Sequence, residues 1–319
     1  MANPSGYTQD RYLERYARML APKDENFIAF RQDANPTIDV TTRTGNFIDV
    51  AGGFASETPF DDMVLTDGMD RPNVIPTTIT EVAGWTVQER AKGVKVNKRS
   101  QQYAEGNGNS LRQASTARLN KYVRIIRERE LAALVFNATT FSGYTAAVGT
   151  GWDQASSDPS ADAMIAQDSI LKNTGELMNT CIVGYEVHAK LMTNPKIQEL
   201  WSRSNSTAGI IPNDVIAQAL GVKNYIVGAA SSNTAADLLT ESLSFIWGKS
   251  ALFCKIEESP TPYTPQSCIQ RFRFRGSADP EIRRYDLDGG YQEQIDMVYC
   301  DQFTVPTPAL GYYFTAVVA

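Results

Sequence analysis

The stretch SLRQASTARLNKYVRIIRERELAALVFN, residues 110–137, reads as one long helix, and the remaining segments are most simply arranged around it. Ser110 offers a side-chain oxygen to cap the first turn. Leu119, Tyr122, Val123 and Ile126 follow at i, i+3, i+4 and i+7, and Leu131, Leu134, Val135 and Phe136 extend the apolar end. At about 100° per residue, Lys121, Arg124 and Glu128 fall opposite that stripe, with Arg118, Arg127 and Arg129 on its flanks. Between Ser110 and Glu130 six bases meet two acids, a net of +4 within a chain whose formal charge is −6. A basic helix face in an acidic protein suits phosphate, or the acidic arm of a neighbour; contact with phosphate carries no sequence preference.

Upstream of this helix lies a polar excursion. Two strand-like runs, Gly45 to Val50 and Trp85 to Arg99, flank a middle rich in Gly, Pro and Asp. Six acids (Asp49, Glu57, Asp61, Asp62, Asp67, Asp70) against Arg71 give −5 on one side; five bases (Arg90, Lys92, Lys95, Lys98, Arg99) against Glu89 give +4 on the other. Such an arm has too little apolar surface to fold alone, and its opposite charges suit register between subunits. The plainer reading is a pair of solvated faces, since exposed pairs contribute only ~0–1 kcal/mol. Before it, residues 8–35 carry a short helical pattern, with Tyr12, Leu13, Tyr16, Ala17 and Leu20 on one face. That segment reads as an arm.

Downstream the pattern turns α/β. Helices are expected over Ala163–Asn173, Glu186–Met192 and Ile211–Leu220, the first and last closed by Gly175 and Gly221. Strands are expected at Thr180–Gly184, Tyr225–Val227 and Ser244–Trp247, and the prolines of Glu257–Gln266 mark an extended connector. The end of the chain reads as β. Cys268, Phe272 and Phe274 alternate with Arg271, Arg273 and Arg275, Asp288-Gly289 forms a hairpin turn, and Leu310 to Val318 is apolar on both faces, as a central strand requires.

Composition excludes several classes. A chain of 319 residues buries about 75% of its unfolded surface and needs no metal or disulfide. Cys181, Cys254, Cys268 and Cys300 are dispersed, without a CxxC pair, so they are expected to stay reduced and to bind no zinc. No run approaches the ~20 apolar residues of a membrane span, and residues 1–9 lack the pattern of a signal peptide. Gly248-Lys249-Ser250 fails as a phosphate loop because Leu243 stands where the first glycine belongs. Asp286, Asp288 and Gly289 lack the other ligands of a calcium loop. His188 has no nucleophile signature beside it. No catalytic, cofactor or metal site is expected.

Several local stretches occur in an order that resembles one family. Thr174-Gly175, then Asn179-Thr180-Cys181-Ile182-Val183-Gly184, Val187, Leu191, Asn194-Pro195 and Ile197 form one. Leu220-Gly221-Val222 through Ile226-Val227-Gly228 form another, followed by Phe245-Ile246-Trp247-Gly248, Ile282-Arg283-Arg284-Tyr285 and Gly311-Tyr312. The order is similar to that of tailed-phage major capsid proteins with the Hong Kong 97 (HK-97) fold. Each stretch is a packing signature, with Asn194 where the family commonly has histidine, and the resemblance spans nearly the whole chain.

The resemblance implies an α+β chain divided into an N-terminal arm (1–43), an extended loop (44–99), a peripheral domain (100–160 and 257–319, with the spine helix at 110–137) and an axial domain (161–256). It implies a structural protein and no enzyme, closing as pentamers and hexamers into an icosahedral shell around double-stranded DNA in a virion built in the bacterial cytoplasm. Its partners would be further copies, a portal protein, a separate scaffolding protein or none (the arm begins close to Met1), a decoration protein in those shells that carry one and, without sequence preference, the packaged DNA; no membrane is involved. Glu57, Asp61, Asp62, Asp67, Asp70, Arg90, Lys92, Lys95, Lys98 and Arg99 become inter-subunit loop candidates, and Arg118, Lys121 and Arg124 become DNA-facing candidates. A lysine of that loop forms an isopeptide cross-link in some members; for Lys92, Lys95 and Lys98 the plainer reading, simple surface lysines, is favoured. An encapsulin-type shell around protein cargo is a second reading, and a cytoplasmic α/β enzyme a third.

Overall fold

The computed structural model describes residues 8–20, 27–51, 78–106, 110–204, 211–233, 242–260, 267–276 and 279–318. In chain order the elements begin with β1 (Thr8–Gln9), α1 (Arg11–Leu20), β2 (Thr37–Val40), β3 (Thr44–Ala51), β4 (Thr78–Thr86), β5 (Gln88–Asn97), α2 (Lys98–Gly106) and α3 (Leu111–Val135). The middle of the chain adds β6 (Thr145–Ala147), α4 (Pro159–Thr174), β7 (Thr180–Gly184), α5 (Tyr185–Leu191), α6 (Pro195–Ser204), α7 (Asn213–Ala219) and β8 (Asn224–Gly228). Then come β9 (Ser231–Asn233), β10 (Leu243–Phe245), β11 (Ala251–Cys254), β12 (Gln270–Phe274), β13 (Glu281–Leu287), β14 (Gln292–Thr304) and β15 (Gly311–Thr315).

α3 is the expected long helix, and Ser110 caps it by accepting the Gln113 N–H at 3.4 Å. Its buried face, however, is rotated from the apolar stripe. Leu119 and Val123 are buried, while Tyr122 and Ile126 are 50% and 40% exposed. Thr116, Asn120, Arg124, Arg127 and Glu128 take the remaining inward positions at helical spacing. Arg124, expected on the wet face, is 4% exposed, its guanidinium 5.5 Å from the Phe27 ring centre and 5.6 Å from that of Phe30. The reason is a polar core: aromatic faces and carboxylates supplied by other segments neutralise the buried cations.

One sheet underlies this helix. β14 runs through it with β5 along one edge, from Asn97 opposite Gln292 to Gln88 opposite Asp301, and with β13 and then β12 along the other. β2 continues it in parallel beyond β12, and β1 pairs with β13. Leu13, Ala17, Val96, Leu119, Val123, Ile295 and Met297 form the core between sheet, α1 and α3. The arm is therefore tied to its own body, with Asn120 donating to the Ala17 carbonyl at 3.3 Å. β12 is shorter than the expected run and buried on both faces at its start: Cys268 lies before it in another core, Phe272 packs with Trp85, and Arg271 is 4% exposed, donating to Asp301 and Asp279 inside the protein.

Two expected boundaries move. Residues 88–97 belong to this sheet instead of to the extended loop, because Val94 and Val96 pack into its core while the strand pairs with β14 over ten positions. The chain-terminal strand β15 leaves the terminal sheet and lies inside a second one, ordered β6-β15-β11-β7-β8. Phe314 and Tyr313 point to opposite sides of it into two separate cores, which explains a run apolar on both faces. α4, α5, α6 and α7 pack on this second sheet, with Gly175 at φ +73° and Gly221 at φ +68° closing helices as their sequence positions required.

Candidate assembly surface

β3 and β4 form a two-stranded ribbon that has no third strand among the described residues. They run antiparallel from Thr44 opposite Thr86 to Ala51 opposite Thr78, with a bulge between Gly45 and Phe47. Eight residues of β3 carry the ribbon roughly 25 Å at ~3.3 Å per residue. An isolated pair of strands is marginally stable in water, so such a ribbon needs covering.

Its root is rigid. Trp85 is buried and stacks on Phe272 with ring centres 4.9 Å apart and planes 10° from parallel. The Trp85 indole N–H donates to the Thr42 carbonyl at 3.4 Å, Thr86 N–H donates to the Gln302 side chain at 2.5 Å, and Val87 N–H to the Arg43 carbonyl at 2.7 Å. Glycine is required where the strands touch: a Cβ on Gly84 would lie 1.6 Å from the Gly45 carbonyl oxygen. Sequence reasoning placed Trp85 in a strand without seeing this anchor; an aromatic directly after a strand glycine was its only signal.

The charged candidates fall in different places. Glu57, Asp61, Asp62, Asp67 and Asp70 lie outside the described residues. Arg90, Lys92 and Lys95 sit on β5, and Lys98 and Arg99 open α2, so this basic run belongs to the body and not to a projecting arm. Arg90 pairs with Glu130, Lys98 with Asp286 at 2.8 Å, and the Lys92 ammonium stands 5.7 Å from the Tyr122 ring centre. Lys95 and Arg99 are exposed. On α3, Arg118, Lys121 and Arg129 are exposed along one face, whereas Arg124 is enclosed.

Beneath that face sits a junction that sequence reasoning missed. The Glu128 carboxylate accepts the N–H groups of Ile28 at 2.9 Å and Ala29 at 2.8 Å, and the indole N–H of Trp247 at 2.6 Å. One side chain thereby joins the arm, the long helix and the segment entering the second sheet. Burial pushes its pKa above the usual carboxylate range, opposed by these three donors and by Arg124. Nearby, burial also works to raise Asp301, but Arg271 at 2.6 Å and Arg127 at 2.5 Å outweigh it and hold the carboxyl low. His188 sits against β8, its Nδ1 3.1 Å from the Tyr225 hydroxyl, and partial burial lowers its pKa. Among the described residues no cluster of three or more His, Cys, Asp or Glu could hold a metal, and no helix is long and apolar enough to cross a membrane.

No protein-family model matches the chain, and no curated protein matches its sequence. Solved structures do match. Similarity to a phage-related protein from Bordetella bronchiseptica RB50 covers 98% of both chains at 18% identity, with a TM-score of 0.72. The capsid of the cyanophage P-SCSP1u is similar over 87% of this chain and 85% of the other at 11% identity, TM-score 0.53. A virus-like particle from Pyrococcus furiosus is similar over 96% and 99%, at 11% identity and TM-score 0.51. The chain has the α+β Hong Kong 97 fold.

Proposed function

We propose that this chain is the major structural subunit of the icosahedral capsid of a tailed phage, assembling as pentamers and hexamers around double-stranded DNA. The single observation that carries the reading is the β3–β4 ribbon, anchored where Trp85 stacks on Phe272 and without a third strand among the described residues. A neighbouring copy is the natural cover. Similarity to a phage capsid and to a phage-related protein over most of the chain supports the same reading.

In this proposal the parts are an arm up to about residue 43, an extended loop from Thr44 to about Thr86, a peripheral domain built on α3 and the β14 sheet, and an axial domain built on the β15 sheet. The acidic residues Glu57, Asp61, Asp62, Asp67 and Asp70 of one copy face the basic run of another. Lys92, Lys95 and Arg99 are the available cations there, because Arg90 and Lys98 already pair within the chain. Arg118 and Lys121 are the candidates for contact with packaged DNA, and burial removes Arg124 from that set. A portal protein, a separate scaffolding protein and a decoration protein complete the partners, in a virion assembled in the host cytoplasm.

The test is electron microscopy of the purified protein, alone and with a scaffold candidate, beside a variant whose residues 46–83 are replaced by a short Gly-Ser turn. Closed shells from the parent and folded, unassembled protein from the variant are expected. A parent chain that stays monomeric at high concentration with its ribbon amides protected from exchange would overturn the proposal. The likeness to a virus-like particle favours a second reading, a shell around protein cargo; shells from the native host containing an enzyme and no DNA would select it.

A further inference from the structure

A cleft of about 370 Å³ opens between the end of α3, the β9–β10 hairpin and the start of β11. Its polar lining is made of donors: Arg129, Ser232, Ser244 and Ser250, with Phe136 and Phe245 as aromatic walls. Among the described residues no acidic side chain lines it. Arg129 is exposed and makes no ion pair among the described residues, and Ser232, only 7% exposed, has no side-chain hydrogen-bond partner among them. The Ser250 hydroxyl bonds the Tyr313 hydroxyl at 3.0 Å and accepts Ala316 N–H at 3.4 Å, which fixes its position at the edge of the cleft. Ala133 and Gly248 add no bulk to the walls, and space remains around a Cβ built on Gly248.

A concave site with one cation, several hydroxyls and, among the described residues, no carboxylate suits an oxyanion. The volume is at the low end of the ~300–1,000 Å³ typical of small-ligand sites, and Phe245, 41% exposed with its ring centre 5.0 Å from that of Tyr185, forms an aromatic pair that a flat heterocycle can extend. Arg129 also ends the exposed basic face of α3, about 12 Å beyond Lys121 at ~1.5 Å per residue. We propose that this cleft binds a phosphate group carried on a flat heterocycle, the chemistry of a nucleotide, with Arg129 and the serine hydroxyls holding the phosphate and Phe245 the base. The ligand is either a free nucleotide or one residue of a nucleic-acid strand. The inference stands on the cleft alone, whatever the chain assembles into.

The test measures binding of a fluorescent adenosine monophosphate and of a short labelled single strand to the full chain by anisotropy, with inorganic phosphate as competitor. Variants are Arg129→Ala, Ser244→Ala and, outside the cleft on the same helix face, Lys121→Ala, each checked for unchanged melting. Loss of the guanidinium contact is expected to weaken binding about 10- to 100-fold, Ser244→Ala to weaken it less, and Lys121→Ala to leave the mononucleotide unaffected. Saturable mononucleotide binding that Arg129→Ala removes supports a free-nucleotide site; binding of the strand alone, equally dependent on Arg129, supports the same site filled by nucleic acid. Equal weakening of mononucleotide binding by Lys121→Ala and Arg129→Ala, or strand binding that Arg129→Ala weakens and Ser244→Ala does not, would reduce the effect to diffuse charge and overturn the proposal, as would the absence of saturable binding.

Discussion

Glu128→Leu is the most informative single change in the body. The carboxylate is fully buried and accepts three N–H groups, from Ile28, Ala29 and Trp247. Removing it leaves three buried donors unsatisfied at ~1–3 kcal/mol each, or roughly 3–9 kcal/mol in all. Relief of the cost of burying the charge offsets part of this, so a net loss of about 3–5 kcal/mol is expected. Glu128→Gln keeps one oxygen and turns an amide towards one donor, and should lose about 1–3 kcal/mol. The pH dependence separates this account from simple packing. Because burial holds the folded pKa above the unfolded value of ~4.3, the titration contributes stability that is fully present below ~4.3 and is lost as pH rises through the folded pKa. The gap between parent and Glu128→Gln must therefore shrink from pH 4 to pH 8. Urea titration followed by tryptophan fluorescence reads it, since Trp247 is one of the donors. A Glu128→Leu variant within 0.5 kcal/mol of the parent, or a gap that widens with pH, would refute the reasoning.

Other perturbations separate body from ribbon. Gly84→Ala places a Cβ 1.6 Å from the Gly45 oxygen, so the ribbon must distort; shell yield seen by electron microscopy should fall sharply while the melting temperature of the unassembled body changes little. Asp301→Asn removes the buried carboxylate that Arg127 and Arg271 share and leaves them Glu130 and Asp279, so it should cost less than the ~3–5 kcal/mol of an uncompensated buried charge, by denaturant titration at neutral pH. Since those arginines hold the Asp301 pKa below ~3.9, its stabilisation is present above that value and lost as pH falls through the folded pKa, so this variant should unfold in acid with a shallower pH dependence than the parent. Reversing Lys95 and Arg99 to glutamate should slow assembly measured by light scattering, with the difference shrinking as salt is raised.

The sequence was legible wherever backbone chemistry or an unbroken apolar run decided the outcome. Ser110, Gly175 and Gly221 marked helix ends, Asp288-Gly289 marked the hairpin, with Gly289 at φ +64°, and Thr180–Gly184 is a strand buried at all five positions. It misled where charged residues serve as core. On α3 the apolar periodicity put Arg124 and Glu128 outside, because hydrophobicity alone cannot register carboxylates and aromatic rings that arrive from residues 27–30, 247 and 301. The basic run of β5 was misassigned for a related reason. Only Val94 and Val96 signal its inward face, and a long ladder with β14, some 200 residues away in sequence, leaves no local trace. β11, four buried residues of Ala251–Cys254, was too short to stand out from its neighbours.

The position of the buried charges bears on why a shell subunit would use them. An ion pair in a core is weak support for stability compared with an apolar replacement, but it tolerates little displacement once formed. Here Asp301 on β14 joins Arg127 of α3 to Arg271 of β12, Arg273 of β12 reaches Asp39 of β2 at 2.6 Å, and Glu128 captures residues 28 and 29. Arm, helix and sheet are thus fixed relative to one another by directional contacts at the level from which the ribbon departs, where Trp85 lies on Phe272. A sliding apolar core would let the root of the ribbon shift, and an error of a few degrees there is multiplied along its length. Replacing Arg127, Arg271 and Asp301 together by leucine or methionine should therefore leave the body folded, even more stable, while broadening the size distribution of any particles formed. Particles as uniform as the parent's would show that the ionic contacts do not set the ribbon's direction.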